Sequence, residues 1–219
     1  MDAWSAWPAL APDPVLDPGT IVVVALDLAG DAGDETLDEL ERARAARFLD
    51  SRLAQRYVRA HVGLRHILAR YAGGVPSALR FAYGPHGRPE LTDHRWLSFS
   101  LTHAQDRALI AIARDRQVGV DLEPVSSRPE DLAVAARWLG PAQAEALASL
   151  PTAEQAAAFC AAWTRAEARW KSRGCGMAAM TMPEAASGAE PVVADLVVGL
   201  GWVAAVAAPG TWVVERHRL

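Results

Sequence analysis

The sequence has little cysteine, almost no lysine, no long apolar run and no excess of positive charge. Two of its 219 residues are cysteines, Cys160 and Cys175, which is too few for a disulfide-stapled fold and favours a reducing compartment. Lysine and arginine together number 22, and aspartate and glutamate 26, for a net charge of −4. This mildly acidic balance lacks the basic footprint of a nucleic-acid-binding protein. The most apolar stretch, residues 197–208, is shorter than the roughly 20 residues that span a bilayer.

The composition is that of a globular chain. Apolar residues make up 51% and charged residues 22%, whereas a disordered chain has fewer apolar residues. No basic segment followed by an apolar core opens the sequence, so we expect a cytoplasmic protein without a signal peptide or membrane span. The length allows one large domain or two domains of about 100 residues each.

Lys171 is the only lysine, while 21 arginines supply the remaining positive charge. Arginine stays protonated at any working pH, whereas a lysine ammonium can donate a proton. The single lysine is therefore either a leftover surface residue or one chosen for its chemistry.

Hydrophobic periodicity and turn residues predict an α+β fold. Residues 24–28 and 118–122 are similar short strands that each contain an aspartate and precede helices, which favours two related α+β halves, 1–113 and 114–219. The predicted strands are 21–28, 96–102, 108–113, 118–122, 196–206 and 212–215. The predicted helices lie within 37–71 (broken near 50–51), 131–150 (broken at 140–141) and 152–173.

Asp121 and Glu123 are two residues apart on a predicted strand, so both carboxylates project from the same face. Two adjacent carboxylates repel each other, and a cation between them relieves the repulsion. Oxygen ligands favour Mg²⁺ or Mn²⁺, and no cysteine–histidine cluster suggests zinc. The alternative is that both carboxylates are simply solvated beyond a strand end.

Glu167 and Lys171 lie one helical turn apart, on the same helix face as Trp163. A surface Glu–Lys pair at this spacing contributes only a few tenths of a kcal/mol. Because tryptophan is usually buried, Trp163 indicates instead that this face turns toward the core.

Two further groups suit an anionic ligand. The segment Ser100–His103 ends a predicted strand, where a histidine and small hydroxyls can contact a phosphate, although a solvated loop histidine is the alternative. Eight arginines in one helical region form either a solvated surface or a cradle for a multiply charged anion. They are Arg42, Arg44, Arg47, Arg52, Arg56, Arg59, Arg65 and Arg70.

The order and spacing of these motifs resemble those of the 4′-phosphopantetheinyl transferases, in the larger single-chain class that activates peptide and polyketide synthetases. Residues 119–123 are similar to the family's G-[IV]-D-[IVL]-E, and residues 163–171 to its W-x-x-K-E-[AS]-x-x-K, about 40 residues later. Residues 87–89 resemble its G-[KR]-P turn, and residues 100–103 its N-[IL]-[ST]-H segment. With the arginine-rich helix before Phe48, the resemblance covers nearly the whole chain.

This resemblance implies two α+β halves related by pseudo-twofold symmetry, with the active site between them. It implies that the phosphopantetheine arm of coenzyme A moves to a serine of an acyl or peptidyl carrier protein, and that the enzyme is a monomer. Asp121, Glu123 and Glu167 would hold Mg²⁺, with Mn²⁺ as a substitute; Glu167 would take the serine proton, and Lys171 would stabilise or protonate the leaving phosphate. The implied coenzyme A contacts are Arg44, Arg47, Arg56, Arg88, Ser100, Thr102, His103 and Lys171.

The chain departs from the family pattern at a few positions. Ala166 and Cys175 stand where lysines are frequent, and Ser100 replaces an asparagine, which puts some phosphate or carrier contacts in doubt. The methionines at 177, 180 and 182 are either core residues or part of a carrier-facing surface. Two other functions are compatible with the same residues: a metal-dependent hydrolase of a nucleotide pyrophosphate, and a non-catalytic module that binds coenzyme A or a carrier.

Overall fold

A computed structural model describes residues 7–30, 33, 35–84, 86–126, 131–174 and 190–219. Its strands are β1 (Thr20–Asp27), β2 (Phe81–Tyr83), β3 (Pro89–Leu91), β4 (Leu97–Ala104), β5 (Arg107–Arg114), β6 (Gly119–Pro124), β7 (Val192–Leu196), β8 (Trp202–Ala208) and β9 (Val213–Arg218). Its helices are α1 (Glu39–Ala45), α2 (Ser51–Ala72), α3 (Asp131–Trp138), α4 (Pro141–Ala148) and α5 (Thr152–Ser172), with a short 3₁₀ turn at Pro76–Ala78. The α+β fold class predicted from the sequence is therefore confirmed.

The larger sheet has the strand order β4-β5-β1-β9. Strand β1 lies inside it, antiparallel to β5 and parallel to β9. Alternate β1 residues enter two different cores, with Ile21 and Val23 on one face and Val22 and Val24 on the other. Burial on both faces is the reason that β1 is a continuous apolar run rather than an alternating pattern.

Helix α2 covers one face of this sheet. Its Leu64, Ile67 and Leu68 enter the same core as Val22 and Ile112. The helix begins after Asp50, whose carboxylate accepts a hydrogen bond from the Arg52 backbone, and ends at Gly73 in the left-handed conformation (φ 72°). The break predicted near 50–51 is thus the start of α2, with Asp50 as its cap and Gly73 as its end.

The smaller sheet has the order β6-β8-β7, and α5 lies across it. Ala168 of α5 packs against Ala205 and Ala207 of β8, so small side chains allow a close approach. The sheets meet where β4 runs beside β6, and the Val120 backbone N–H donates to Ser100 Oγ at 3.2 Å across this junction. We call the β4–β6 junction, together with the end of α5 above it, the seam.

The structure differs from two element predictions. Residues 196–206 form not one strand but the end of β7, a turn and the start of β8, because Gly199 (φ 112°) and Gly201 (φ 75°) reverse the chain. The turn predicted at 103–107 begins later, since β4 extends to Ala104 and keeps His103 paired with Ala108 of β5.

Strand β9 joins the sheet built by the first half of the chain, although it lies beyond residue 114. The boundary at 113/114 and the pseudo-twofold relation stay predictions. Cys175 and the methionines at 177, 180 and 182 lie outside the described residues. Within the part of the chain that the structure describes, no helix is long and apolar enough to span a bilayer.

Candidate active site

The geometry of the seam begins with Gly119, the first residue of β6. A Cβ atom placed on it would lie 2.1 Å from the Ala168 carbonyl oxygen and 2.5 Å from the Ser172 backbone nitrogen, both in α5. Only glycine permits this contact, so the helix backbone rests directly on the strand. Because Asp121 shares the face of Gly119 on β6, its carboxylate is turned toward α5.

Asp121 and Lys171 form the central ion pair of the site. Lys171 Nζ lies 2.6 Å from Asp121 Oδ1 and also donates to the Val120 carbonyl oxygen at 3.2 Å. Glu167 Oε2, one turn earlier on α5, is 3.9 Å from the same ammonium. The structure thus brings together three of the residues that the sequence motifs predicted to act together.

The two oxygens of the Asp121 carboxylate have different surroundings. Oδ1 accepts a hydrogen bond from Thr102 Oγ1 at 3.0 Å, in addition to the contact with Lys171. Oδ2 is buried and has no hydrogen-bond partner among the described residues. The residue as a whole is only 4% exposed, so bulk water does not solvate this oxygen. A buried, unpartnered carboxylate oxygen is costly unless a cation or donor occupies the space before it.

Burial raises the pKa of Glu167 above its usual range; Lys171 lowers this pKa and the charge of Asp121 raises it further. Asp121 and Glu167 both lie within 3.9 Å of the Lys171 ammonium, so the two acidic groups already share one cation. No group of three or more histidine, cysteine, aspartate or glutamate side chains is assembled for a metal within the described ranges. The three-carboxylate site that includes Glu123 therefore stays a prediction.

A cleft of about 390 Å³ is lined mostly by residues from α1 to β4 and reaches the seam at Lys171. It is lined by five of the predicted coenzyme contacts: Arg44, Arg88, Ser100, His103 and Lys171. Arg47 lines an adjoining groove that also contains Arg44. Arg56 forms an ion pair with Asp106 at 2.8 Å. Its positive charge also lowers the pKa of His103.

His103 lies on β4 beside the seam. Desolvation of its ring lowers its pKa, and the positive charges of Lys171, Arg56 and Arg44 lower it further. Arg44 and Lys171 line the same cleft as His103, which makes the cleft suited to a bound anion.

Three predicted coenzyme contacts have structural roles at the seam. The Arg88 guanidinium donates to the backbone carbonyls of Lys171, Phe99 (3.3 Å) and Val118 (3.0 Å), and so ties α5 to both sheets. The hydroxyls of Ser100 and Thr102 bond to β6. Whether these residues also contact a coenzyme stays a prediction.

Arg65 is a buried residue whose structural role the sequence analysis missed. It is one of the eight arginines predicted to form either a solvated surface or an anion cradle, yet its side chain is 0% exposed. It donates to Glu41 at 2.7 Å, to Asp38 at 2.9 Å, and to two carbonyls beyond α2. These bonds hold α1, which carries Arg44 and is followed closely by Arg47, beside the cleft. The available signal was its position on the apolar face of α2, next to Leu64 and Leu68.

His61 was also missed, and it lies in the wall of the cleft. Its ring stacks on Tyr57 at 3.9 Å between centroids, and its Nδ1 is 2.9 Å from the Tyr57 carbonyl oxygen. Burial lowers its pKa to about 4, and the nearby charges of His103 and Arg44 add to this effect. The imidazole is therefore neutral at physiological pH and cannot supply positive charge to a ligand.

His61 makes the stability of the protein depend on pH. The unfolded chain takes up a proton at His61 below pH 6.5, whereas the folded protein does not until pH approaches 4. Its contribution is thus fully present above pH 6.5 and is lost as pH falls toward 4, by up to about 3 kcal/mol. We expect His61→Phe, measured by urea denaturation at pH 7 and pH 4.5, to lose less stability between these pH values than the wild type. An equal loss in both proteins would contradict this assignment.

The other face of α5 is held by ion pairs. Arg165 makes a bidentate contact with Asp195 of β7, at 2.8 and 2.5 Å. Arg169 and Arg173 both pair with Glu190. Arg165, Arg169 and Arg173 therefore anchor α5 on one side, while Lys171 faces the seam on the other.

Residues 117–190, which include β6 and α5, match the family model described as the 4′-phosphopantetheinyl transferase superfamily. The chain is 34% identical over 143 residues to slr0495 of Synechocystis, provisionally described as such a transferase, covering 64% of this chain and 58% of that protein. It is 36% identical over 146 residues to the 4′-phosphopantetheinyl transferase HetI of Nostoc, covering 65% and 62%.

A third relative is the 4′-phosphopantetheinyl transferase AcpT of Salmonella typhimurium, 36% identical over 114 residues, covering 50% of this chain and 56% of that protein. These matches show that the chain is similar to the 4′-phosphopantetheinyl transferases, which is the resemblance that the sequence motifs predicted. Each match spans less than two thirds of the relative's own length.

Proposed function

We propose that this protein transfers the 4′-phosphopantetheine arm of coenzyme A to a serine of an acyl or peptidyl carrier protein. The observation that carries the proposal is the seam: a buried carboxylate with one unpartnered oxygen, beside an acid and the only lysine of the chain. These residues fall within the segment that matches the superfamily. The names of the relatives support the reaction class.

The residues of the seam fit a divalent cation. Asp121 Oδ2 is a buried carboxylate oxygen without a partner, and the adjacent Glu167 supplies a second carboxylate. Glu123, two residues after Asp121 on β6, is the third ligand that we propose. Oxygen donors of this kind suit Mg²⁺ or Mn²⁺, which would neutralise the pyrophosphate of coenzyme A when bound.

The remaining chemistry belongs to the side chains of this protein. Arg44, Arg47, Arg56 and His103 bind phosphate groups of coenzyme A, and Arg88 holds the cleft in shape. Lys171 stabilises or protonates the departing phosphate, since its ammonium can reach an anion in the cleft that it lines. A compact, flexible cation of this kind follows a charge that moves during the reaction.

Glu167 accepts the proton of the attacking serine. The serine oxygen forms a bond to the phosphorus of the phosphopantetheine phosphate, and the bond from that phosphorus to the bridging oxygen breaks. Adenosine 3′,5′-bisphosphate leaves with the electron pair. Burial raises the pKa of Glu167, and a carboxylate with a raised pKa is a stronger base than an exposed one.

The test is intact mass spectrometry of apo carriers from fatty-acid, polyketide and peptide synthesis, each incubated with coenzyme A, Mg²⁺ and the protein. We expect one phosphopantetheine on at least one carrier, and no product when EDTA is present. Breakdown of coenzyme A without any carrier would identify a hydrolase instead. Binding of coenzyme A that persists in EDTA, without transfer to any carrier, would identify a binding module.

A further inference from the structure

The Lys171 ammonium forms an ion pair with Asp121, the carboxylate that the proposed metal site needs. Its Nζ is 2.6 Å from Asp121 Oδ1, and the Thr102 hydroxyl donates to the same oxygen at 3.0 Å. Two cations close to one carboxylate repel each other strongly in a partly buried site, because the low local dielectric weakens screening. A divalent ion on Asp121 and an ammonium at 2.6 Å from it therefore disfavour each other.

The Lys171 side chain has room to move away from Asp121. Its side chain is 30% exposed and lines the cleft, so the ammonium can move into the cleft by rotation about its side-chain bonds. Arg44 and His103 line the same cleft as Lys171, and a phosphate bound there offers the ammonium a new partner. By contrast, Thr102 is buried and stays with Asp121, which keeps the carboxylate orientation fixed.

We propose that Lys171 competes with the divalent metal ion for Asp121 in the ligand-free protein, and that the phosphates of coenzyme A relieve this competition by drawing the ammonium into the cleft. Metal and coenzyme A then each strengthen the binding of the other, because the coupling between two sites is reciprocal. This inference rests on the proposed function, since it takes the metal and coenzyme A as ligands of the seam.

The first test measures Mn²⁺ binding without a carrier and without turnover, by electron paramagnetic resonance of the free ion. Lys171→Met removes the competing charge and keeps much of the side-chain volume. We expect it to bind Mn²⁺ about tenfold more tightly than the wild type, a factor at the low end for close charge pairs. Coenzyme A should tighten Mn²⁺ binding more in the wild type than in the variant.

Arg173→Met is the matched control. It also removes one positive charge near the end of α5, but Arg173 is paired with Glu190. We expect its Mn²⁺ affinity to remain within twofold of the wild type. Unchanged or weaker binding in Lys171→Met, with the control unchanged, overturns the inference.

The second test needs no variant, because Lys171 is the only lysine in the chain. Protein grown with ¹³Cε-lysine gives a single side-chain signal in a ¹H–¹³C spectrum. We expect this signal to shift when Mg²⁺ binds, and to shift again when coenzyme A is added. A signal that stays in place while calorimetry shows Mg²⁺ saturation contradicts the competition.

Failure of this inference is distinct from failure of the proposed function. Carrier modification in the mass assay, together with Mn²⁺ binding that is indifferent to Lys171, overturns the competition and leaves the transferase standing. The absence of carrier modification, with the expected Mn²⁺ and lysine results, overturns the transferase and leaves a coupled metal and coenzyme site.

Discussion

Asp121→Asn is expected to reduce the rate of carrier modification about 1,000-fold, which corresponds to ~4 kcal/mol of lost transition-state stabilisation. The amide keeps the shape of the side chain but loses the negative charge that pairs with Lys171 and that the proposed metal ion needs. The measurement is the initial rate of holo-carrier formation by intact mass, with Mg²⁺ and coenzyme A at saturating concentration.

Asp195→Asn is the control for this variant. Asp195 is also an aspartate paired with a cation, Arg165, but it lies on the far side of α5 on an exposed surface. The control removes the same charge, and we expect its rate to stay within twofold of the wild type. Should Asp121→Asn retain more than a tenth of the wild-type rate, the metal assignment is wrong.

Glu167→Gln separates activity from stability. We expect it to be as inactive as Asp121→Asn, because the amide cannot take the serine proton. Burial disfavours the charge on Glu167, so without metal at pH 7 the neutral amide should leave the protein at least as stable as the wild type. A thermal melt without added metal measures this, and a lower melting temperature would contradict the stated burial cost.

We expect Gly119→Ala to lower both the stability and the activity of the protein strongly. Its Cβ would overlap the backbone of α5, at 2.1 Å from the Ala168 oxygen, and backbone atoms cannot turn aside as a flexible side chain can. The helix must move off β6, which separates Lys171 and Glu167 from Asp121. We expect a loss of about 3 kcal/mol in the free energy of unfolding, at the upper end for overpacked sites, and a loss of most activity.

Urea denaturation measures the stability of this variant, and the carrier assay measures its rate. Gly74→Ala provides the comparison, because a Cβ at Gly74 meets nothing within 4 Å and should change neither quantity appreciably. If Gly119→Ala is as stable and active as Gly74→Ala, then close packing of α5 on β6 does not position the site.

Local pattern predicted much of the fold. The apolar run of β1 and the periodicity of α2 identify those elements, because a strand buried on both faces and a helix buried on one leave different spacings. The apolar residues around position 200 predict one strand, whereas Gly199 and Gly201 divide this segment into two strands. Left-handed glycines reverse a chain even within an apolar segment.

Local spacing also predicts some features of the candidate site and not others. The spacing of Glu167 and Lys171 predicts their proximity, since both lie on one helix face. The spatial partners of Arg65 could not be predicted, because Glu41 and Asp38 belong to α1 and its cap. The stacking of His61 on Tyr57 follows from helical spacing, but its place in the wall of the cleft does not.

The sequence by itself identified the residues that we propose carry the chemistry: one lysine and the acids at fixed spacing. Only the tertiary structure decided that Lys171 forms an ion pair with Asp121 and that Thr102 donates a hydrogen bond to the same carboxylate. It also decided that the other oxygen of Asp121 is buried with no hydrogen-bond partner among the described residues. The physical reason is that these contacts join residues separated by about 20 and 50 positions along the chain, so they exist only once α5 and two sheet edges have packed together.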